Sequence, residues 1–258
     1  MIRFLIKKAF FDTWDNLIQA ALINLGAVLI IAGFLGLGKL ALSLGEVMLP
    51  LTLAAGIIVF FVYGGFMALT AKDIAFYGQP SFKNFFSYIA KTWKASIFYA
   101  LMVILIFYTW IFLLPFYNSI GGAIGFVATI VLLWVIFGFV LISPWFFPVA
   151  SQLDTKPIKI LKKSFLLALD NPGFTLFLFF SSIITFILSL FTALLFPGFT
   201  GMLIWQQDAL KLRMYKYEYL EENKNANRKK IPWDALIAED RERVGKRTLR
   251  GMIFPWKD

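Results

Sequence analysis

The feature that most constrains this chain is a series of long, uninterrupted apolar runs. Five of them cover residues 17–44, 47–71, 95–114, 123–149 and 172–196. An α-helix needs about 20 apolar residues to cross the hydrocarbon core of a bilayer, whereas the strands of a membrane barrel alternate apolar and polar residues. The chain is 60% hydrophobic and 16% charged, against about 25% charged in a soluble domain. The sequence therefore predicts an all-α, polytopic membrane protein.

The distribution of cations decides whether a sixth, less apolar segment at 199–220 also crosses. Short cytoplasmic loops collect Lys and Arg. Of 25 cations, three precede the first run, four lie between runs two and three, and four lie between runs four and five. Thirteen follow residue 210, and the remaining one, Lys39, lies near the outer end of the first run. Six crossings place all the basic segments on one side. We predict six transmembrane helices, arranged as three sequential hairpins, with both termini in the cytoplasm.

One basic motif occurs twice, each time just before an apolar run. "KKAFFDTWDN" covers 7–16 and "KKSFLLALDN" covers 162–171. Asp15-Asn16 and Asp170-Asn171 fall where a helix would enter the membrane, and Asp and Asn are good N-caps. The repeat is interpreted either as a true internal duplication or as the lysine and aromatic content common to any membrane interface.

Two connecting segments are predicted to be amphipathic helices in the headgroup region. In the first, apolar residues recur at helical spacing beside Lys83, Lys91 and Lys94; they are Phe82, Phe85, Phe86, Ile89 and Trp93. The segment 156–169 has a similar pattern. Such helices are attracted to anionic lipids. The alternative is that they dock on a cytoplasmic partner.

The chain divides into a membrane domain at 1–220 and a cytoplasmic tail at 221–258. The tail is too short to form a core of its own, yet it contains Trp233, Phe254 and Trp256. These side chains are candidate anchors that pack on the inner face of the membrane domain, enter the lipid interface or dock on a partner. No nucleic-acid partner is expected, because the basic residues follow the positive-inside pattern and no recognised binding module occurs.

Residue types argue against an enzyme. The chain has no Cys and no His, which removes the usual nucleophile, general base and soft metal ligands. "GFLGLGK" at 33–39 resembles part of a phosphate loop, but Leu40 replaces the required Ser or Thr and the stretch lies inside an apolar run. Its glycines are better explained by close helix contact. No catalytic residue, metal or cofactor is predicted.

One carboxylate falls inside the sixth segment. A helix that enters from the outer surface just after the Pro-Gly turn reaches Asp208 after about 13 Å, near the middle of a core about 30 Å thick. An ionised carboxylate there costs at least about 2.5–3.5 kcal/mol unless it is paired. We therefore predict an intramembrane polar cluster in which Lys211 pairs with Asp208 and hydrogen bonds come from Gln206, Gln207 and Asn24. Alternatively, the helix enters obliquely and Asp208 lies in the hydrated inner interface.

Three stretches resemble YesL-like bacterial integral membrane proteins, a family defined by a domain of unknown function. They are the paired-aromatic segment from Phe85 to Ser96, "LKKSFLLALDNPGFTL" and "FPGFTGMLIWQQDAL". The likeness covers roughly 10–215, and the family has no catalytic residues to transfer. Asp170-Asn171-Pro172 departs from a more basic pattern there, so no role is carried over for that turn.

The resemblance implies a protein of the bacterial cytoplasmic (inner) membrane with a transport-associated role. Two functions are compatible with this. One is a non-enzymatic accessory or assembly component associated with solute uptake, including carbohydrate uptake, that contacts a membrane-protein partner through its cytoplasmic face and tail. The other is a small permease or channel with a polar path through the helix bundle.

Overall fold

The computed structural model describes residues 1–45, 47–228 and 230–247. Within these residues every regular element is helical. In chain order the α-helices are α1 (Ile2–Asp15), α2 (Leu17–Leu44), α3 (Met48–Ala75), α4 (Phe85–Tyr108), α5 (Leu114–Ile120), α6 (Gly122–Gln152), α7 (Pro157–Asp170), α8 (Pro172–Leu190), α9 (Gly198–Glu222), α10 (Trp233–Leu236) and α11 (Ala238–Val244). A 3₁₀ turn (Phe82–Asn84) precedes α4, and a π turn (Thr109–Leu113) joins α4 to α5.

Among the described residues, five helical segments are long and apolar enough to cross a membrane. They are α2, α3, the continuous segment Phe82–Ile120, α6 and α8. The all-α class and the membrane-spanning character of the chain are therefore confirmed. The sixth predicted span corresponds to α9, which is long enough but does not belong to this set, because its second half alternates apolar residues with Asp, Lys, Arg and Glu.

The two copies of the basic motif fold in the same way. Each forms the end of a 14-residue helix, α1 or α7, which stops at an Asp and is followed by an Asn and then by a long apolar helix. The Asn side chains do not cap the following helix. Instead, Asn16 Nδ2 donates to the carbonyl of Asp12, and Asn171 Nδ2 donates to that of Leu167. The prediction of side-chain N-caps was wrong, because each Asn side-chain amide turns back to a carbonyl in the last turn of the helix that it ends.

The predicted amphipathic segments have different outcomes. The segment 156–169 forms the separate helix α7, as expected. The segment beginning at Phe82 is not separate: Ser81 Oγ accepts from the amide of Lys83, and the chain then runs without a break into α4. Phe85 packs on α3, where its ring lies 4.9 Å from that of Phe66, whereas Phe86 is 82% exposed.

Helix α9 runs parallel to α3 in a fixed register. The rings of Phe60 and Phe199 are 5.2 Å apart, and Gln207 donates to the carbonyl of Ala68 at 2.9 Å, so both pairs have the same offset of 139 positions. Because α3 begins 12 residues before Phe60, it extends about 18 Å beyond the start of α9. Helix α8 packs antiparallel to α9 and ends at the same level, where Gly198 N donates to Ser189 Oγ at 2.9 Å. The α8–α9 hairpin is therefore shorter than its neighbours at that end of the bundle.

Candidate functional site

A group of buried charges lies where α1, the C-terminal end of α3, α9 and α11 meet. At its centre is Lys8, which has no exposed surface. Its ammonium group donates to Asp208 Oδ1 at 2.7 Å, to the carbonyl of Ala75 at 2.9 Å and to the carboxylate of Asp12. An ammonium group has three donors, and all three of them are satisfied here.

The surroundings of Lys8 keep it charged. A buried cation is tolerated only when it is paired and hydrogen-bonded. Burial by itself lowers the pKa of Lys8, but the carboxylates of Asp208 and Asp12 outweigh this effect and raise the pKa above its ordinary value of 10.5. The ring of Tyr77, with its centroid 4.5 Å from the ammonium nitrogen, adds a favourable cation–π contact.

A second ion pair connects the tail to this group. Lys211 Nζ lies 2.8 Å from Asp240 Oδ1 and donates to the same Ala75 carbonyl at 3.3 Å. Tyr215 OH donates to the other oxygen of Asp240 at 3.1 Å. Burial alone would raise the pKa of Asp240, but the hydrogen bond and charge of Lys211 outweigh it, so the pKa lies below its ordinary value of 3.8. Asp240 is therefore ionised and fixes α11 to α9.

The five residues Lys8, Asp12, Asp208, Lys211 and Asp240 form what we call the charge cluster. It contains two ammonium groups and three carboxylates, and Asp208 Oδ2 has no hydrogen-bond partner among the described residues. Over the same residues no group of acidic side chains has the arrangement of a metal site. The chemistry that the charge cluster supports is charge pairing between three chain segments.

Further contacts complete the attachment of the tail to α1. Lys7 Nζ donates to the carbonyl of Gly245 at 2.8 Å. The guanidinium of Arg247 lies 2.8 Å from an oxygen of Asp15 and 4.5 Å from the ring centroid of Phe11. Apolar side chains of the tail, Ile237 and Val244, are buried in the main hydrophobic core. Residues 237–247 therefore pack as part of the membrane domain's surface.

The structure changes the predicted surroundings of Asp208. Its ion-pair partner is Lys8, and the predicted partner Lys211 pairs with Asp240 instead. The reason is that α1 folds back against α9, so that a lysine 200 positions away is nearer than the one in the next turn. Asp208 has no exposed surface, and Lys8 links its carboxylate to the carbonyl of Ala75, the last residue of α3. By the register of α9 on α3 it lies opposite Leu69, about 9 Å from the end of α3. It is therefore near one end of the bundle and enclosed by protein, a combination that neither sequence interpretation included.

The other predicted members lie outside the charge cluster. Gln206 donates to Ser182 of α8 at 3.2 Å. Gln207 connects α9 to α3 and α6 through the carbonyl of Ala68 and the hydroxyl of Ser151. Both glutamines therefore find their hydrogen-bond partners on neighbouring helices.

Asn24 holds the start of α9 against α2. Its Nδ2 donates to the carbonyls of Leu195 and Pro197 at 2.9 and 3.0 Å, and its Oδ1 accepts from the amide of Thr200 at 2.9 Å. Gly198 has a φ of 62°, and a Cβ there would lie 2.1 Å from Asn24 Nδ2. Both the backbone conformation and the close approach require glycine.

The predicted tail anchors can be located in part. Trp233 is half-buried against the hydrophobic core, and the guanidinium of Arg213 lies 6.0 Å from its ring centroid and 3.8 Å from that of Phe174. Phe254 and Trp256 lie outside the described residues.

Sequence reasoning missed Lys8, Asp12 and Asp240. A signal existed for the first two, because Lys8 and Asp12 are one helical turn apart on the face that carries the buried Leu5. No local signal marks Asp240, which lies among the other charges of the sequence "AEDRERV".

Comparison with known proteins leaves the chain without an assigned family. It matches no protein-family model, no curated protein and no solved structure. The resemblance to YesL-like proteins therefore stays a prediction.

Proposed function

We propose that this protein is a non-enzymatic accessory or assembly component of the bacterial inner membrane that engages a membrane-protein partner through its cytoplasmic face and docked tail. In keeping with the YesL-like resemblance, the partner belongs to a solute-uptake system, for which carbohydrate is the leading substrate class. The observation that carries this proposal is the docking of residues 237–247 on α1 and α9 through the charge cluster.

The interior of the bundle supports this proposal over a permease. An inner cavity of about 340 Å³ lies between α3, α6, α8 and α9, and its lining is mainly aromatic and aliphatic, including Phe61, Met67 and Phe147. The polar side chains at its wall are already paired: Gln206 with Ser182, and Tyr99 OH with Ser143 Oγ at 2.9 Å. A permease for a polar solute needs polar groups that are free to bind that solute.

The contacts between the two ends of the chain support a common side for both termini. Lys7 and Asp15 precede the first candidate span, whereas Gly245 and Arg247 follow the last helix. Residues in direct contact lie on one side of the bilayer, so the chain crosses an even number of times. In our proposal α2, α3, the segment Phe82–Ile120 and α6 cross fully, while the α8–α9 hairpin enters from the cytoplasmic side and returns to it.

The test compares the full chain with a chain lacking 231–258. Both are purified from the native membrane after cross-linking, and both are reconstituted in vesicles for a solute-uptake assay. We expect the truncated chain to keep its helical circular dichroism and to lose the partner that the full chain retains. Solute uptake by the reconstituted protein alone, unchanged by the truncation, would instead establish the permease, and equal partner recovery by both chains would refute the docking role of the tail.

A further inference from the structure

The shortness of the α8–α9 hairpin leaves a second cavity in the bundle, on the side opposite the termini. This outer cavity has a volume of about 370 Å³ and lies between α2, α3 and α4. Its walls include Ile30 and Leu35 of α2, Ile57 of α3, and Val103 of α4. If α8 and α9 continued for three more turns, they would occupy this space.

The floor of the outer cavity is aromatic. The rings of Phe186 and Phe199, which are near the tip of the hairpin, lie 6.0 Å apart, and the ring of Phe60 lies 5.2 Å from that of Phe199. These rings separate the outer cavity from the inner one. At the rim, Leu35, Leu53 and Phe107 are exposed, so the cavity opens toward the lipid-facing surface.

The lining selects a hydrocarbon ligand. The named wall and floor residues are all aliphatic or aromatic, so they offer no hydrogen bond to a sugar or an amino acid. A void in a membrane bundle that opens to the bilayer is in contact with acyl chains, and leaving it empty would forfeit the packing contacts of its whole lining. The occupant is therefore an alkyl chain.

A cation at the outer end of the cavity indicates the headgroup of the ligand. Lys39 is exposed and lies one helical turn beyond Leu35, on the same face of α2. From Ile30, the first residue of α2 that lines the cavity, to Lys39 the helix rises about 13 Å, close to half of a hydrocarbon core about 30 Å thick. An acyl chain of one leaflet thus reaches the floor while its phosphate remains level with Lys39.

We infer that the outer cavity is a binding site for a phospholipid of the leaflet opposite the termini, with one acyl chain on the aromatic floor and its phosphate at Lys39. This lipid fills the part of the bundle that the α8–α9 hairpin leaves open. The site is independent of the proposed accessory role, since it lies at the far end from the charge cluster.

The test uses purified full chain reconstituted with phosphatidylglycerol that carries a photoactivatable diazirine on its acyl chain. Native mass spectrometry counts the lipid retained after detergent dilution, and peptide mapping locates the cross-links. We expect one retained lipid per chain, cross-linked to peptides containing Ile57 or Val103. Val103→Trp fills the cavity and should abolish this retention, whereas Val131→Trp, the same change at an exposed position of α6, should leave it unchanged.

Variants of Lys39 test the phosphate contact. Lys39→Gln should weaken retention roughly fivefold, the effect of one basic residue at a lipid surface, and Lys39→Arg should restore it. Leu53→Trp at the rim repeats the cavity-filling test if Val103→Trp does not fold. Equal retention by the Val103→Trp and Val131→Trp proteins, or cross-links spread evenly over the exposed faces of α6 and α8, would overturn the inference.

Discussion

The two copies of the basic motif have the same local structure but very different surroundings. In both, a 14-residue amphipathic helix ends at an Asp, and an Asn turns the chain into a long apolar helix. Helix α1 is covered by α9 and by the tail, whereas α7 leaves large apolar side chains uncovered, such as Ile158, which is 76% exposed. Ten similar residues thus specify a helix and a turn, and the packing around them decides whether their charges are buried.

The second lysine of each motif shows this most clearly. Lys8 has an exposure of 0% and donates to three acceptors, whereas the side chain of Lys163 is 41% exposed and pairs with Asp154 at 3.0 Å. The motif position of Asp12 is taken by Leu167 in the second copy. The carboxylate that holds a buried lysine is therefore present only in the copy that is buried.

The helices that follow the two motifs should differ in how far they reach across the bilayer. A single Cys can be introduced without background, because the chain has none. We expect Ser43→Cys, at the end of α2, to react fully with a membrane-impermeant maleimide added from the side opposite the termini. Thr192→Cys, just after α8, should be protected from it, because the hairpin tip lies about 18 Å short of the start of α3. Labelling of both positions would mean that α8 crosses fully.

Replacing the second lysine should lower the free energy of unfolding by different amounts in the two motifs. Lys8→Met leaves the buried carboxylates of Asp12 and Asp208 without their cation and should lower the free energy of unfolding by about 3–5 kcal/mol. Lys163→Met removes an exposed pair and should cost about 0–1 kcal/mol. Denaturant unfolding in detergent, followed by circular dichroism, measures both values. Similar losses would contradict the difference in burial on which the comparison rests.

The docking of the tail on α9 should depend on Asp240, a buried carboxylate. Asp240→Asn weakens the bond to Lys211 and should cost about 1.5–3 kcal/mol of docking free energy, seen as faster hydrogen exchange in 238–247. The matched control is Asp234→Asn, whose side chain is 91% exposed and pairs with Arg241; we expect a change of at most about 1 kcal/mol. Faster exchange in the control alone would place the attachment elsewhere in the tail.

The Asp at the end of each motif helix should contribute least to the free energy of unfolding. Asp170, in the second copy, should contribute more than Asp15. Asp170 accepts from Tyr217 OH at 2.7 Å and lies 3.4 Å from Lys216 Nζ, and the Tyr217 hydrogen bond is the first cause of its lowered pKa. Asp170→Asn should cost about 1 kcal/mol, and Asp15→Asn about 0.5 kcal/mol, since the pair with Arg247 is solvent-exposed. Because the folded pKa of Asp170 is depressed, its contribution is present above pH 3.8 and is lost as the pH falls through the lower folded value. An equal cost for the two variants would remove this distinction.

Hydrophobic run length predicted the helical class and four of the long spans closely, because that pattern depends only on local composition. It could not predict the depth of α8 and α9. That depth is set by contacts such as Asn24 with the 195–200 turn, which join residues more than 170 positions apart. For the same reason the sequence marks Asp208 as a carboxylate that needs a partner inside the membrane, but it does not show that this partner is Lys8, 200 positions away. Charge patterns in sequence show which residues need partners, and only the packing of helices decides which partners they find.

The central claim is that residues 237–247 of the tail dock on the first copy of the motif and not on the second. A short bis-maleimide tests this directly in two double-cysteine proteins, Lys7→Cys with Lys246→Cys and Lys162→Cys with Lys246→Cys. Lys7 and Lys162 are equivalent motif positions, and Lys7 is in contact with Gly245, the neighbour of Lys246. We expect an intramolecular cross-link in the first protein and none in the second, read from intact mass and peptide mapping. The absence of a cross-link in the first protein, or equal yields in both, would contradict the docked arrangement.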